Sequence, residues 1–352
     1  MLATHHPSSV TLQSSTQPEI SPLFFIMAAP KILIFGPTGN VGSWVARTAQ
    51  AQGAKVYFAM RDTTKTIPSI SPEEEKKGGY ERVQADLSQP ETLHKAVKST
   101  GATRAFIYLI HSSTDGMRSA ITALKEAGIT FIVFLSSYAV QEEKRAVGTK
   151  NWISWAHAQV EISLEDVFGP SHYVALRPAY FATNSLAWVP QIKSGNTKLR
   201  IPVPESKFDW IAPEDMGRVA ASILVRGSLT TASGEPDTDA EDPKGTYIYL
   251  MGPQILAQAD ALKVIGRAIG KEFSVEALSD EEAFQYFVDN FHVNADGAKG
   301  LVNTLKDTAS GAVKEFSSDP MYEKRAANTL KYSGVEPTPF EKWVGENKSL
   351  YA

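Results

Sequence analysis

Residues 31–47, Lys31-Ile-Leu-Ile-Phe-Gly36-Pro-Thr38-Gly39-Asn40-Val41-Gly42-Ser-Trp-Val-Ala-Arg47, decide the fold. Lys31 to Phe35 is a short apolar run rich in β-formers, the pattern of a strand buried on both faces. Three glycines follow at the spacing G-x-x-G-x-x-G, and an amphipathic run from Val41 to Gln52 predicts a helix. Each glycine has a physical task in that order. Gly36 permits a tight turn, Gly39 lets a pyrophosphate approach bare backbone, and Gly42 lets the helix pack close to the strand. The helix N-terminus then offers its amides and its dipole to the phosphate charge. A strand before the triplet and a helix after it are the context that separates a dinucleotide loop from a chance run of glycines. Gly36, Thr38, Gly39, Asn40, Val41 and Gly42 are therefore candidate cofactor contacts.

The second strand, Lys55-Val-Tyr-Phe-Ala-Met-Arg61, ends on a cation nineteen residues after Gly42. An acidic residue there would bind a ribose 2′-hydroxyl, whereas arginine accommodates a 2′-phosphate. Arg61 favours NADP(H) over NAD(H). Asp62 is adjacent, and a one-residue shift would put a carboxylate at the ribose instead.

The alternation continues. Tyr80–Ala85, Arg104–Ile110, Thr130–Leu135 and His172–Arg177 read as strands, with helices near Asp115–Ala127 and Trp152–Phe168 between the later ones. Asp86 or Ser88 is placed to cap the helix that runs to Lys98, and Ser71–Gly79 reads as a charged surface loop. This order predicts an α/β doubly wound parallel sheet of Rossmann type over residues 29–180, its ligand crevice at the carboxyl ends of the strands. Those ends add Asp86, Leu87, Leu109, His111, Ser136, Pro178, Tyr180 and Phe181 to the candidate cofactor residues. Over residues 181–352 the alternation decays. A helix from Asp215 and a strand over Thr246–Met251 return to the core, and the remainder forms a smaller C-terminal substrate or lid lobe. A Ser/Thr/Gly/Asp-rich insert, Gly227–Gly245, lies between them.

Composition sets outer bounds. The chain has 352 residues with 43% hydrophobic and 21% charged, ordinary values for a globular protein with a sizeable core. A net charge of −4 gives no reason to expect attraction to nucleic acid. With no cysteine there is no thiolate chemistry or disulfide, which is compatible with a reducing, cytoplasmic setting. Residues 1–28 form a leader whose Ser, Thr, Pro, Gln and His content predicts disorder, and Met27 offers an alternative start of translation. Leu23–Met27 is apolar but lacks the preceding basic residues of a secretory signal, and no run is long enough to span a bilayer. No cluster of His, Asp and Glu has metal-ligand spacing, so no metal is expected.

Several patches, in order, carry a resemblance. They are Ile34–Gly42, Gln84–Leu87, Phe134–Ser137, His157–Glu161, Leu176–Asn184, Trp210–Gly217, Tyr249–Gly252 and Pro339–Trp343. On these the chain resembles the NmrA-like branch of the atypical short-chain dehydrogenases/reductases. The resemblance implies an NAD(P)-binding fold with a small second lobe. It also implies either a reductase, as in fungal and plant secondary metabolism, or a non-catalytic dinucleotide-binding regulator acting through a protein partner. Short-chain reductases use Tyr-x-x-x-Lys on the helix after the fifth strand, the tyrosine as acid and the lysine to lower its pKa. Aligning His157-Ala-Gln-Val-Glu161 with the family's usual Lys-x-x-x-Glu puts His157 in the lysine slot and Ile153 where the tyrosine belongs. The dyad is absent. Tyr138 falls where the family's serine or threonine stands, so His157 and Tyr138 are the candidate catalytic residues. Glu161 and Asp215 read as structural, Asp215 as a helix cap, while Phe181, Trp188 and Trp210 suggest an apolar pocket wall. The expected activity is reduction of a small apolar metabolite by NADPH. The alternative is an NADP(H)-binding redox sensor.

Overall fold

The computed structural model describes residues 28–291, 295–309 and 319–352. The predicted disorder of the leader therefore lies outside the described residues. The first half alternates β1 (Lys31–Phe35), α1 (Asn40–Ala51), β2 (Lys55–Met60), α2 (Pro72–Gly78), β3 (Glu81–Gln84), α3 (Pro90–Thr100), β4 (Arg104–Tyr108), α4 (Arg118–Ala127), β5 (Phe131–Leu135), α5 (Trp152–Phe168) and β6 (Tyr173–Pro178). Then come α6 (Val189–Lys193), β7 (Lys198–Ile201), β8 (Lys207–Phe208), α7 (Pro213–Arg226), β9 (Tyr247–Leu250), β10 (Leu256–Ala257), α8 (Gln258–Ile269) and β11 (Ser274–Ala277). The chain ends with α9 (Asp280–Phe291), α10 (Ala295–Ala309), α11 (Tyr322–Ala326), α12 (Asn328–Ser333) and α13 (Phe340–Glu346).

Among the described residues seven strands make one parallel sheet in the order β3-β2-β1-β4-β5-β6-β9. The order reverses between β1 and β4, which opens a crevice above their carboxyl ends. Period-two alternation sends each strand's apolar side chains to two faces. Ile32, Ile34, Phe58, Phe106 and Val133 pack with Val45 and Ala49 of α1 and Val219 and Ile223 of α7. Leu33, Phe35, Ile107, Ile132 and Phe134 pack with Leu93 of α3, Leu124 of α4 and Val160 and Leu164 of α5. The helices α1 and α7 cross closely because Gly217 has no side chain; a Cβ there would stand 2.4 Å from Trp44 Cβ.

A separate core forms the second lobe, with Trp188, Trp210, Leu262, Ile265, Phe340 and Trp343 at its centre. Trp188 and Trp210 are fully buried there, so they pack that core and do not wall a pocket. Two short ladders brace the lobe, β8 with β10 and β7 with β11.

Three local expectations are corrected. Ser71–Gly79 is a helix, because Ser71 and Glu74 form a reciprocal capping box and Pro72 opens the first turn. Its charges are engaged: Glu74 pairs with Arg47 at 3.3 Å, and Glu75 with Arg82. Neither Asp86 nor Ser88 caps α3, whose N-cap is Gln89; Asp86 instead accepts hydrogen bonds from the amide and hydroxyl of its own neighbour Ser88. Asp215 does not cap α7, which starts at Pro213, and its carboxylate receives the amide and hydroxyl of Thr338 from the tail.

Candidate functional site

The crevice has two ends, and the glycine loop builds the first. Gly36 turns with φ +69°, and the amide of Gly39 closes the turn onto the Gly36 carbonyl at 3.0 Å. A Cβ on Gly42 would lie 2.2 Å from that same carbonyl oxygen, so only glycine lets α1 start this close to β1. Gly39 is the N-cap of α1; no side chain caps it, and the first turn carries no acidic residue. A Cβ on Gly39 would meet only the Gly36 oxygen at 3.4 Å, and Gly39 and Asn40 are exposed. Bare backbone and the positive end of a helix thus face open space, which is what a pyrophosphate requires. Thr38 is half-buried beside them and Val41 turns into the core.

Arg61 stands at the end of β2, exposed and with no hydrogen bond or ion pair among the described residues. Its neighbour Asp62 turns one carboxylate oxygen, Oδ1, onto Thr64, accepting from Thr64 N at 2.8 Å and Thr64 Oγ1 at 2.6 Å. Arg82 braces the following loop through the carbonyls of Thr63 and Lys65. Asp86 is half-buried at the end of β3, and the Leu87 side chain packs inward.

The other end lies over β5, β6 and α5. Buried Ser136 donates to Glu161 Oε1 at 2.6 Å. Glu161 also takes a two-point contact from Arg177, Nε to Oε1 at 3.0 Å and Nη2 to Oε2 at 2.6 Å, and both partners are fully buried. Arg177 lies on the Tyr247 ring and donates to the Tyr249 hydroxyl at 3.0 Å. Such a pair is satisfied as a unit and would leave a bare buried charge if either member were removed.

His157, one helical turn before Glu161, is half-buried near the Phe134 ring. Its Nδ1 lies 2.8 Å from the Ile153 carbonyl. A carbonyl only accepts, so Nδ1 carries the hydrogen and Nε2 is left with the lone pair in the neutral ring. Burial holds the imidazole below its ordinary pKa, partly offset by the Ile153 carbonyl and the Glu161 carboxylate and reinforced by His111. His111 is exposed and stacks on Trp152 at 5.5 Å. With Leu109, Trp152 and Trp155 it lines a cavity of about 20 Å³, room for one water.

Tyr138 points away from His157's helix toward the tail. Its hydroxyl donates to Asp319 at 2.9 Å and receives Arg325 Nη1 at 3.2 Å. Burial and the Asp319 carboxylate push this phenol well above its ordinary pKa. Pro178 holds the Tyr138 amide through its carbonyl at 2.9 Å. Tyr180 stacks on Phe208 at 3.8 Å, and Phe181 bridges to Ile211. An open groove of about 520 Å³ runs past Ala139, Gln141, Asn151 and Ser154 at the start of α5.

Sequence reasoning missed Asp209. Its carboxylate is fully buried and accepts the amides of Tyr180 at 2.8 Å and Gly252 at 2.7 Å, tying the ends of β6 and β9 to the second lobe. Burial pushes it up to about 7, opposed by those two amides. An acidic residue between Phe208 and Trp210 was the available signal, since an isolated carboxylate inside an apolar run needs local donors. Among the described residues no group of His, Asp and Glu is arranged to hold a metal ion, and no helix is long and apolar enough to cross a membrane.

The sequence of residues 29–336 matches the NmrA-like family. The chain belongs to the NmrA-like family. Among curated relatives, this NmrA-like chain is 37% identical over 323 residues to the nitrogen metabolite regulation-like protein bik4 of Gibberella fujikuroi, covering 89% of this chain and 95% of that one. It is 24% identical to the NAD(P)H azoreductase of Xenophilus azovorans, covering 72% and 79%. Among solved structures it shares its fold with the NADPH-dependent quinone oxidoreductase QOR2 of Escherichia coli, crystallised with NADPH. The TM-score is 0.63 at 18% identity, covering 90% of this NmrA-like chain and 98% of that one.

Proposed function

We propose that this NmrA-like protein binds NADP(H) across the crevice and reduces a small, mostly apolar metabolite, as reductases of secondary metabolism do, in a reducing cytoplasm. The observation that carries this is the bare, uncapped start of α1 beside an unpaired Arg61. Gly36, Thr38, Gly39, Asn40 and Gly42 would hold the pyrophosphate, Arg61 the 2′-phosphate, and Asp86 and Leu87 the adenosine side. Leu109, His111, Ser136, Pro178, Tyr180 and Phe181 would border the nicotinamide side. When bound, NADPH supplies the hydride.

His157 supplies the proton. Its Nδ1 is held by Ile153, so Nε2 is the atom that takes a proton from water and passes it on. Because burial lowers its pKa, the protonated form is scarce at neutral pH and is a stronger acid when formed. Reduction should therefore quicken as pH falls below the ordinary imidazole value of about 6.5. Tyr138 is assigned a positioning role, since its proton already serves Asp319. The groove before α5 gives the substrate its entry.

A second reading is favoured by Ile153 in the acid's position and by the likeness to bik4. In it the protein binds NADP(H) without turnover and reports redox state to a protein partner. One experiment separates them: NADPH oxidation against a panel of quinones, azo compounds, enones and imines. Turnover of any class at a rate lowered roughly a hundredfold by His157→Gln supports the reductase. No oxidation across the panel, with NADPH still bound in calorimetry, supports the regulator.

A further inference from the structure

We propose that Tyr108 is a second determinant of cofactor choice, its hydroxyl donating a hydrogen bond to the 2′-phosphate of NADP(H) beside Arg61. The inference rests on the reading of Arg61 as the 2′-phosphate cation.

Tyr108 is the last residue of β4, directly across the switch point from β1. It is half-buried against the core on the α3–α5 face of the sheet, and its ring lies against the glycine turn. A Cβ built on Gly36 would meet Tyr108 Cε1 at 2.8 Å, Cδ1 at 3.2 Å and Cζ at 3.6 Å. The Cδ1–Cε1 edge is thus nearest the loop that receives a pyrophosphate, with the hydroxyl-bearing Cζ next to it. Arg61 at the end of β2 and Asp86 at the end of β3 are the charged groups that act on this hydroxyl. A side chain rooted on β4 thus crosses over β1 toward the adenosine half of the crevice.

Its surroundings make the hydroxyl conspicuous. The two carboxylates at the ends of β2 and β3 already have local donors: Asp62 accepts from Thr64, and Asp86 from Ser88. Among the described residues only backbone hydrogen bonds involve Tyr108, and the Arg61 guanidinium makes none. Two donors of different kinds, neither with a side-chain partner among the described residues, thus lie within electrostatic reach of each other. A phosphate dianion offers three acceptor oxygens, enough for a forked guanidinium and a phenol together, whereas a 2′-hydroxyl offers a single oxygen. Half-burial keeps the phenol protonated, so it donates at any physiological pH.

The test is calorimetric titration of NADPH, NADH and adenosine 2′,5′-bisphosphate into the full chain, its Tyr108→Phe variant and its Arg61→Ala variant. Phenylalanine keeps the ring against Gly36 and removes only the hydroxyl, and a melting curve confirms that the fold is intact. NADPH and the bisphosphate should each bind Tyr108→Phe roughly tenfold more weakly, the scale of one hydrogen bond to a charged group, while NADH changes less than about twofold. Equal losses for NADPH and NADH would place the hydroxyl on the ribose or adenine and overturn the proposal. So would no loss for any of the three. Should Arg61→Ala leave the NADPH-to-NADH ratio unchanged, the Arg61 reading fails first. If that ratio collapses while Tyr108→Phe behaves like the parent, only Tyr108 is refuted.

Discussion

The two ends of the crevice are built on opposite plans. At the adenosine end, donors are left free: the amides at the start of α1, the Arg61 guanidinium and the Tyr108 hydroxyl have no protein partner among the described residues. At the α5 end the polar groups satisfy one another. Ser136 serves Glu161, Glu161 serves Arg177, Tyr138 serves Asp319, and even His157 spends one nitrogen on its own helix. A site with free donors is prepared to bind a charged ligand without rearrangement. A site whose donors are consumed keeps its shape but has little chemistry to offer, here one imidazole nitrogen. The contrast explains why two functions, reductase and regulator, stay attached to one well-formed cofactor cradle.

The largest break in this comparison should come from Gly42→Ala. Its methyl would lie 2.2 Å from the Gly36 oxygen, so α1 must shift by an ångström or so to relieve the overlap. Misplacement on that scale should weaken NADPH roughly a hundredfold, read by calorimetry, and lower stability by about 1–3 kcal/mol. Retained affinity would show that the cradle tolerates a displaced helix.

Next in size is His157→Gln, which probes the sparse end. If the imidazole is the proton source, NADPH-dependent reduction should fall by roughly a hundredfold while NADPH affinity stays within a few-fold. The parent's rate should keep rising as pH falls below about 6.5, and the variant's profile should be flat there. A joint fall of affinity and rate would mean that His157 grips the ribose instead.

Arg61→Ala sharpens the generous end. Removing a charged contact to the 2′-phosphate should cost NADPH about tenfold or more and NADH almost nothing. Identical affinities for the two cofactors in the parent would remove the distinction altogether.

The smallest effect concerns the clamp behind the α5 end. Asp209 titrates near 7 in the fold, against 3.8 for an ordinary aspartate. Between those values the folded state holds a proton that the unfolded chain releases, so stability declines as pH rises from about 4 to about 7. Buried Glu214, also pushed up to about 7, acts with the same sign. Asp209→Asn should shrink the decline in melting temperature between pH 5 and pH 8 without abolishing it. An unchanged slope would show that Asp209 is ionised throughout.

The sequence by itself determined the first strand, the glycine turn and α1, and the parallel alternation through β6. These are local patterns: periodicity two against 3.6, with glycine spacing that a helix start imposes. It also placed Arg61 at the end of the second strand, because a residue at a strand end has its position set by its own strand. The missing tyrosine was equally visible, since Ile153 and His157 are four apart on one helix. Tertiary structure decided everything whose partner is distant in the chain. The turn of Asp62 Oδ1 onto Thr64 appears only in the fold, and Trp188 and Trp210 became core only when the second lobe closed on them. Tyr138 reads in the sequence as a candidate acid, and only the fold brings its hydroxyl to donate to a carboxylate 181 residues away. Tyr108 read simply as a strand residue, and only the packing of β4 beside β1 laid its ring on Gly36. A side chain's identity states which bonds it can make, but folding decides which partner reaches it first.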